Sequence, residues 1–168
     1  MSKFTDASTE IQELVNDIAN ELGLVHLGVD FQPLCINKSK TVCKVVKANE
    51  LAEYASQREG LIFVLVYEDA FDAITTQTST EEEREKARKT KYMWLRTEME
   101  KVVVDTEKDK ISIGCPSITV PVGLCEKFKG TVVEAALLGQ HIIAKIEQDK
   151  KEEAERKKAL RTKGKKSN

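Results

Sequence analysis

The spacing of apolar residues changes along the chain between helical and extended periodicity. In residues 8–22, apolar residues follow steps of three and one, the pattern of one helical face, and predict an N-terminal helix. That face consists of Ile11, Leu14, Val15, Ile18, Ala19 and Leu22. Residues 29–36 and 41–47 are extended segments joined by a polar turn at 37–40, which predicts a hairpin. Pro33 favours an edge or bulge position for the first of these strands.

The middle of the chain contains one continuous apolar run, LIFVLVY at residues 61–67. A run of this length without alternation is typical of a strand covered on both faces, so we expect it in the middle of the sheet. A short helix is predicted before it, with Asn49 as N-cap. A charged helix is predicted after it, with Thr80 and Glu83 at the spacing of a capping box. Its second half is expected to bury Tyr92, Leu95, Met99 and Val102.

The last third of the chain predicts a second hairpin and a long helix. Residues 102–104 and 110–113 flank a polar turn, and residues 131–146 return to helical periodicity with a charged continuation to about Arg161. The whole pattern predicts an α+β fold, a small mixed sheet of hairpins and one buried strand packed against N-terminal, central and C-terminal helices. We expect one domain over residues 1–146, followed at 147–168 by a charged helix extension and a disordered basic tail.

Composition limits the class of protein. The chain has 168 residues, of which 40% are hydrophobic, enough for one domain with a core. No segment approaches the roughly 18 apolar residues of a membrane span, and no apolar run follows a basic start, so we expect a soluble, cytoplasmic protein without membrane contact. The four cysteines, Cys35, Cys43, Cys115 and Cys125, form no C-x-x-C pair. Separate buried thiols are predicted, with a four-thiolate zinc site as the alternative if distant strands meet.

Charge is distributed unevenly. Residues 150–168 contain nine Lys or Arg against three Glu, a net charge of +6. Because the whole chain has a net charge of −1, the remaining residues carry −7. The tail contains no aromatic residue for base stacking, so it predicts at most weak, non-specific contact with nucleic acid phosphates. The candidate phosphate contacts are Lys157, Lys158, Arg161, Lys163, Lys165 and Lys166. The alternative is an exposed helix end that frays into a solubilising tail.

Three segments carry a family resemblance: LIFVLVYEDAFDAI (61–74), RTEMEKVVVDTEKDKISI (96–113) and CPSI (115–118). With the order of the predicted elements, they resemble the phage-encoded metallopeptidase group with a zincin-like fold, over about residues 8–146. In that group the long helix carries H-E-x-x-H, followed by a hairpin and a short acidic motif. The resemblance places the group's glutamate on Glu98, its histidines on Thr97 and Lys101, and its acidic position on Ser117. It implies a zincin-like fold and action in the host cytoplasm.

These substitutions remove the chemistry of the motif. Histidines four residues apart on a helix bind one zinc ion, whereas a threonine hydroxyl is a poor ligand and an ammonium has no lone pair to donate. We therefore expect no catalytic zinc and no other cofactor, and we expect Glu98 to be a solvated carboxylate paired with Lys101 or another basic residue. The chain has only two histidines, so no three-histidine site can form. His141 is predicted to be structural, and His26 exposed or turn-forming.

The residues favour a protein that is not an enzyme. The sequence predicts a non-catalytic, degenerate metallopeptidase-like phage protein that acts as a binding or accessory module in the infected host, with an unidentified protein partner. One alternative is a residual metal-dependent peptidase or hydrolase that recruits zinc through other ligands. The other is a nucleic-acid-associated accessory protein that uses the basic tail.

Overall fold

A computed structural model describes residues 3–75, 80–114 and 132–164. In chain order the elements are β1 (Phe4–Asp6), α1 (Thr9–Glu21), a 3-10 turn (Val25–Leu27), β2 (Asp30–Ile36), β3 (Cys43–Lys47), α2 (Glu50–Ser56), β4 (Leu61–Tyr67), α3 (Glu68–Thr75), α4 (Glu81–Met99), β5 (Val102–Asp105), β6 (Lys110–Ile113) and α5 (Val132–Gly164). The predicted α+β class is confirmed, with a mixed sheet and helices. Strand β1 was not predicted.

Strand β4 lies inside the main sheet, whose strand order is β1-β2-β4-β3. It pairs in parallel with β2 and antiparallel with β3, while β1 pairs antiparallel with β2. The prediction of a buried central strand is confirmed, and the predicted hairpin between residues 29–36 and 41–47 is wrong. β4 separates the two strands of the predicted hairpin because of burial. It is the most apolar strand, and only an interior position covers both of its edges and most of its side chains.

Strands β5 and β6 pair antiparallel, which confirms the second predicted hairpin. They form a separate two-stranded sheet, however, rather than part of the main one. The predicted sheet of hairpins is therefore corrected to a four-stranded mixed sheet with a hairpin beside it. The edge position that Pro33 favoured is wrong, since β2 lies between β1 and β4. The proline is tolerated there because the ladder with β1 covers only Leu34 to Ile36 and does not include Pro33.

The helices bury one face of the sheet. Helix α1 contributes the predicted face, with Leu22 only partly buried. Helix α4 begins with the predicted capping box between Thr80 and Glu83, and its first turn is exposed. Its buried side differs from the prediction, because Trp94 and Lys91 are buried whereas Tyr92 is only half-buried. The Lys91 ammonium is accommodated by an ion pair with Glu10 at 3.6 Å.

Helix α5 is fixed to the body by its first half. The Trp94 indole N–H donates to the carbonyl of Ala135, and the Lys150 ammonium donates to the Tyr67 hydroxyl at 3.1 Å. A Cβ at Gly139 would lie 2.7 Å from Val42 Cγ2, so the glycine permits a close approach of α5 to the start of β3. Within the described ranges, no helix combines the length and apolar character needed to cross a membrane.

The second half of α5 leaves the body. All described side chains from 151 to 157 are exposed, and the helical backbone continues without a break to Gly164. The helical backbone thus continues past residue 146, into the segment for which the sequence predicts a charged extension. The helix includes residues 162–164, which the sequence predicted to be unstructured, and residues 165–168 lie outside the described part of the chain.

Candidate functional site

A cavity of about 250 Å³ lies where the end of α4 meets the start of β3 and helix α5. Its described lining residues are Lys40, Thr41, Val42, Cys43, Trp94, Thr97, Glu98, Ala136, Gly139, Gln140 and Ile143. Two of the four positions that the resemblance identified, Thr97 and Glu98, therefore line one cavity. A third, Lys101, is connected to it through an ion pair with Glu98. We call this space the Glu98 cavity.

The hydroxyl of Thr97 is engaged by its own helix. It donates to the carbonyl of Met93, one turn earlier, at 2.7 Å. Threonine commonly makes this bond inside helices, where it satisfies the hydroxyl proton without a second element. Thr97, which stands at the position of the first histidine of the motif, thus lines the cavity while its hydroxyl is bound to its own helix.

Glu98 and Lys101 form an ion pair that confirms the predicted partner of the glutamate. The side chains are only 19% and 27% exposed, so the predicted solvated carboxylate is corrected to a largely buried one. Lys101 also lies beyond the helix, because α4 ends at Met99 and the Lys101 amide donates to the Glu98 carbonyl at 3.2 Å in a tighter turn. The regular helix that would place side chains 97 and 101 on one face is not continued to position 101.

These residues do not fit a zinc ion. The Thr97 hydroxyl and the Lys101 ammonium act as donors in the bonds described, and neither supplies the imidazole nitrogen that the motif requires. In the described part of the chain, no three His, Cys, Asp or Glu side chains come together as a metal-binding group. His26 is exposed in the 3-10 turn, as predicted. His141 is exposed on α5, and Ser117 lies outside the described residues.

The thiol of Cys43 is held in a neutral form at the base of the cavity. It donates to the carbonyl of Trp94 at 3.3 Å. Burial raises its pKa far above the usual range, the charge of Glu98 raises it further, and Lys101 opposes both effects. Only the thiolate is a strong nucleophile, so a raised pKa disfavours nucleophilic attack by Cys43.

Cys35 and Cys43 confirm the prediction of separate buried thiols for two of the four cysteines. Both pair with Val66 of β4, from opposite sides, so their Cα atoms lie two strand spacings, roughly 9 to 10 Å, apart. A disulfide needs less than about 7 Å. Burial also raises the pKa of Cys35, with a smaller contribution from Glu68. Cys115 and Cys125 lie outside the described residues.

The lining of the Glu98 cavity combines polar groups at its opening with apolar groups behind them. Lys40 and Gln140 are exposed on its lining and supply an ammonium and an amide, while the deeper wall is formed by Val42 and Trp94. The volume is slightly below the roughly 300 to 1,000 Å³ of typical small-molecule sites. Such a space suits one side chain of a protein partner or a small polar molecule.

A larger groove of about 510 Å³ lies between α4 and α5. It contains the exposed residues Leu137 and Leu138 with Lys86, Lys89 and His141 around them. It lacks the residues at positions 97, 98 and 101. We therefore give more weight to the Glu98 cavity, which contains two of those positions and adjoins the Glu98–Lys101 ion pair.

The predicted phosphate contacts lie on or beyond α5. Lys157 is exposed and pairs with Glu153 at 2.6 Å. Lys158, Arg161 and Lys163 lie within the helix, and Lys165 and Lys166 follow it, outside the described residues. The helical backbone thus carries part of the basic segment away from the body.

Sequence reasoning did not identify Cys43, Trp94 or Gln140 as lining residues of the same cavity as Glu98. They come from β3, α4 and α5, up to about one hundred positions apart, and no local pattern links them. Comparisons of the chain with protein-family profiles, curated protein sequences and solved structures find no match.

Proposed function

We propose that the protein is a non-catalytic binding module, metallopeptidase-like in origin, that acts on a protein partner in the cytoplasm of a phage-infected host. The observation that supports this best is the Glu98–Lys101 ion pair in the wall of the Glu98 cavity. A carboxylate that acts as a general base needs access to a water molecule and a substrate. Glu98 instead forms an ion pair with the Lys101 ammonium, and the cavity beside this pair has room for a ligand.

The catalytic part of the proposal is tested with peptide hydrolysis. The full chain, purified without chelator or affinity metal, is analysed for bound zinc and incubated with a fluorogenic casein, with and without added zinc. We expect neither stoichiometric zinc nor turnover above a blank. Turnover that disappears in Glu98→Gln would establish the residual hydrolase instead, and one zinc per chain without turnover would contradict the expected absence of a bound metal.

The zincin-like origin is tested by restoring the ligands. If positions 97 and 101 correspond to the two histidines of H-E-x-x-H, Thr97→His with Lys101→His creates a zinc affinity that wild type lacks, and zinc binding extends α4 beyond Met99 so that both side chains lie on one face. Isothermal titration with zinc measures the affinity, and either single substitution is the matched control. Equal zinc binding by the double variant and the singles leaves the resemblance without support and the binding role untouched.

The binding role is tested by blocking the cavity. Gln140 is exposed on its lining, so Gln140→Trp fills the opening without disturbing the core. Gln148 is exposed on the same helix, away from the cavity, and Gln148→Trp is the matched control. A photo-crosslinking residue at Thr41, also on the lining, should couple to one host protein in wild type and Gln148→Trp and lose it in Gln140→Trp. Equal crosslinking in all three proteins removes the support for the cavity.

A second candidate function is contact with nucleic acid through the end of α5. The supporting observation is the projecting helix: from Arg156 onward the sequence holds seven Lys or Arg and no acidic residue, and α5 extends into this segment. The acidic residues of α5 precede it. Cations spaced along an exposed helix neutralise phosphates without reading the sequence.

This candidate is tested with a chain that ends at Glu155. The end point keeps Lys150, which contacts Tyr67 and therefore belongs to the body. Binding to duplex and to single-stranded DNA is measured at two salt concentrations. If the basic segment contacts phosphates, the shortened chain loses affinity and its salt dependence flattens. Identical behaviour of both chains excludes the segment as a nucleic acid contact.

A further inference from the structure

Helix α2 presents the two most exposed large apolar side chains among the described residues. Leu51 is 74% and Tyr54 is 84% exposed, and they stand three residues apart on the same face of the helix. None of the residues of α2 is fully buried. Its presence is therefore not explained by packing into the core.

The helix is held rigid by its ends. The Asn49 side chain accepts from the Ala52 amide at 2.8 Å, and Gln57 ends the helix in the left-handed region at φ 55°. The next residue, Arg58, binds both carboxylate oxygens of Asp30 and the Gln32 amide oxygen, which ties the end of α2 to β2. A helix of seven residues is marginal by itself, so these anchors fix the orientation of the exposed side chains.

The surroundings of Leu51 and Tyr54 are acidic. Glu50 and Glu53 belong to the same helix, and Glu59 follows it. In the described ranges, no ion pair engages these three carboxylates. Of the nearby cations, Arg58 is neutralised by its ion pair with Asp30, whereas Lys47 donates to the neutral Ile111 carbonyl and keeps its charge. Three carboxylates against one ammonium leave the apolar centre with a net negative border.

We infer that Leu51 and Tyr54 of α2 form a docking surface for a protein segment that combines apolar side chains with Lys or Arg. Tyrosine at the centre of a patch with a polar border is the usual composition of an interface hot spot. Because the helix is preorganised, little side-chain and backbone freedom is lost on binding. The carboxylates disfavour a nucleic acid or an anionic membrane as the occupant. This inference rests on the proposed role as a binding module and assigns it a surface separate from the Glu98 cavity.

The test uses a random peptide-display library selected against the full chain. The affinity of the enriched peptides is measured by fluorescence anisotropy for wild type and for Leu51→Ser with Tyr54→Ser. Neither side chain is packed, so this variant folds. The matched control is Val25→Ser with Leu27→Ser, which removes two exposed aliphatic side chains elsewhere.

We expect the selected peptides to be rich in Lys, Arg and apolar residues. Their affinity should be at least tenfold lower for the α2 variant than for wild type, and unchanged for the control variant. Glu50→Gln with Glu53→Gln should weaken the same peptides and reduce their salt dependence. If the peptides still bind the α2 variant but no longer bind Gln140→Trp, this inference is overturned, while the proposed role as a binding module stands. A selection without any specific peptide overturns both.

Discussion

Removing the Lys101 ammonium should destabilise the protein far more than removing an exposed lysine. In Lys101→Met the aliphatic stem is preserved, but Glu98 keeps its charge in a site where only 19% of its side chain is exposed. A buried charged group that loses its hydrogen-bond partner costs about 1 to 3 kcal/mol. Because the carboxylate keeps some contact with water, we expect the free energy of unfolding to fall by about 1.5 to 2 kcal/mol.

The second substitution decides whether the cost arises from the stranded carboxylate. Glu98→Gln with Lys101→Met removes the charge that has lost its partner, so the double variant should be more stable than Lys101→Met alone. The expected coupling energy between the two positions is about 1 kcal/mol. Urea unfolding of wild type, both single variants and the double variant measures it.

The matched control is the exposed pair of Lys108 and Asp105, also three residues apart, at 75% and 40% exposure. Lys108→Met should change the free energy of unfolding by less than about 0.5 kcal/mol, because exposed ion pairs contribute little. A Lys101→Met effect as small as that of Lys108→Met would refute the reasoning. So would additive effects of the two substitutions at the Glu98–Lys101 pair.

Three further predictions concern packing, capping and thiol chemistry. Gly139→Ala should lower the melting temperature, because a Cβ at this position would lie 2.7 Å from Val42 Cγ2. This overpacking costs about 1 to 3 kcal/mol, which outweighs the gain of about 1 kcal/mol in helix propensity. Adding Val42→Ala should reduce the cost of the alanine. Thr80→Ala should cost about 1 kcal/mol in urea unfolding through the lost capping box, whereas Thr80→Ser should retain most of it. Cys43 should resist alkylation at pH 8 in the native protein and react in urea, as measured by mass spectrometry; since its pKa is raised on folding, its contribution to stability is complete below about pH 8.5 and is lost as the pH rises further.

The elements that depend on neighbouring residues could be predicted from the sequence. The buried side of α1 follows from the spacing of its apolar residues, and the capping box from two residues three positions apart. The same holds for the β5–β6 hairpin, whose strands are joined by a short polar turn. In each case the deciding interactions lie within one turn of helix or one hairpin.

The pairing of β2 and β3 could not be predicted in this way. A polar turn between two extended segments is typical of a hairpin, and consecutive strands are usually neighbours. The pairing depends on a third segment, β4, which separates β2 from β3 because its apolar side chains are buried most completely in an interior position. Alternation within β2 and β3 contains no information on that competition.

The candidate site was predicted in part for the same reason. The pairing of Glu98 with Lys101 is local and was anticipated, whereas the cavity beside it requires β3 and α5 as well. Lys91 illustrates the limit: a lysine in a charged helix is expected in solvent, and its burial depends on Glu10, more than eighty positions earlier. Such a partner is defined only by the tertiary structure.

The interior position of β4 also constrains the order in which the nascent chain folds. The ribosome completes β2 and β3 before β4 emerges, and the two earlier strands with their short linker have every local requirement for pairing with each other. A hairpin formed at that stage would have to open before β4 could insert, because β4 occupies the space between the two strands. The Glu98 cavity also takes residues from α4 and α5, so its lining is complete only after the chain has been synthesised past Ile143.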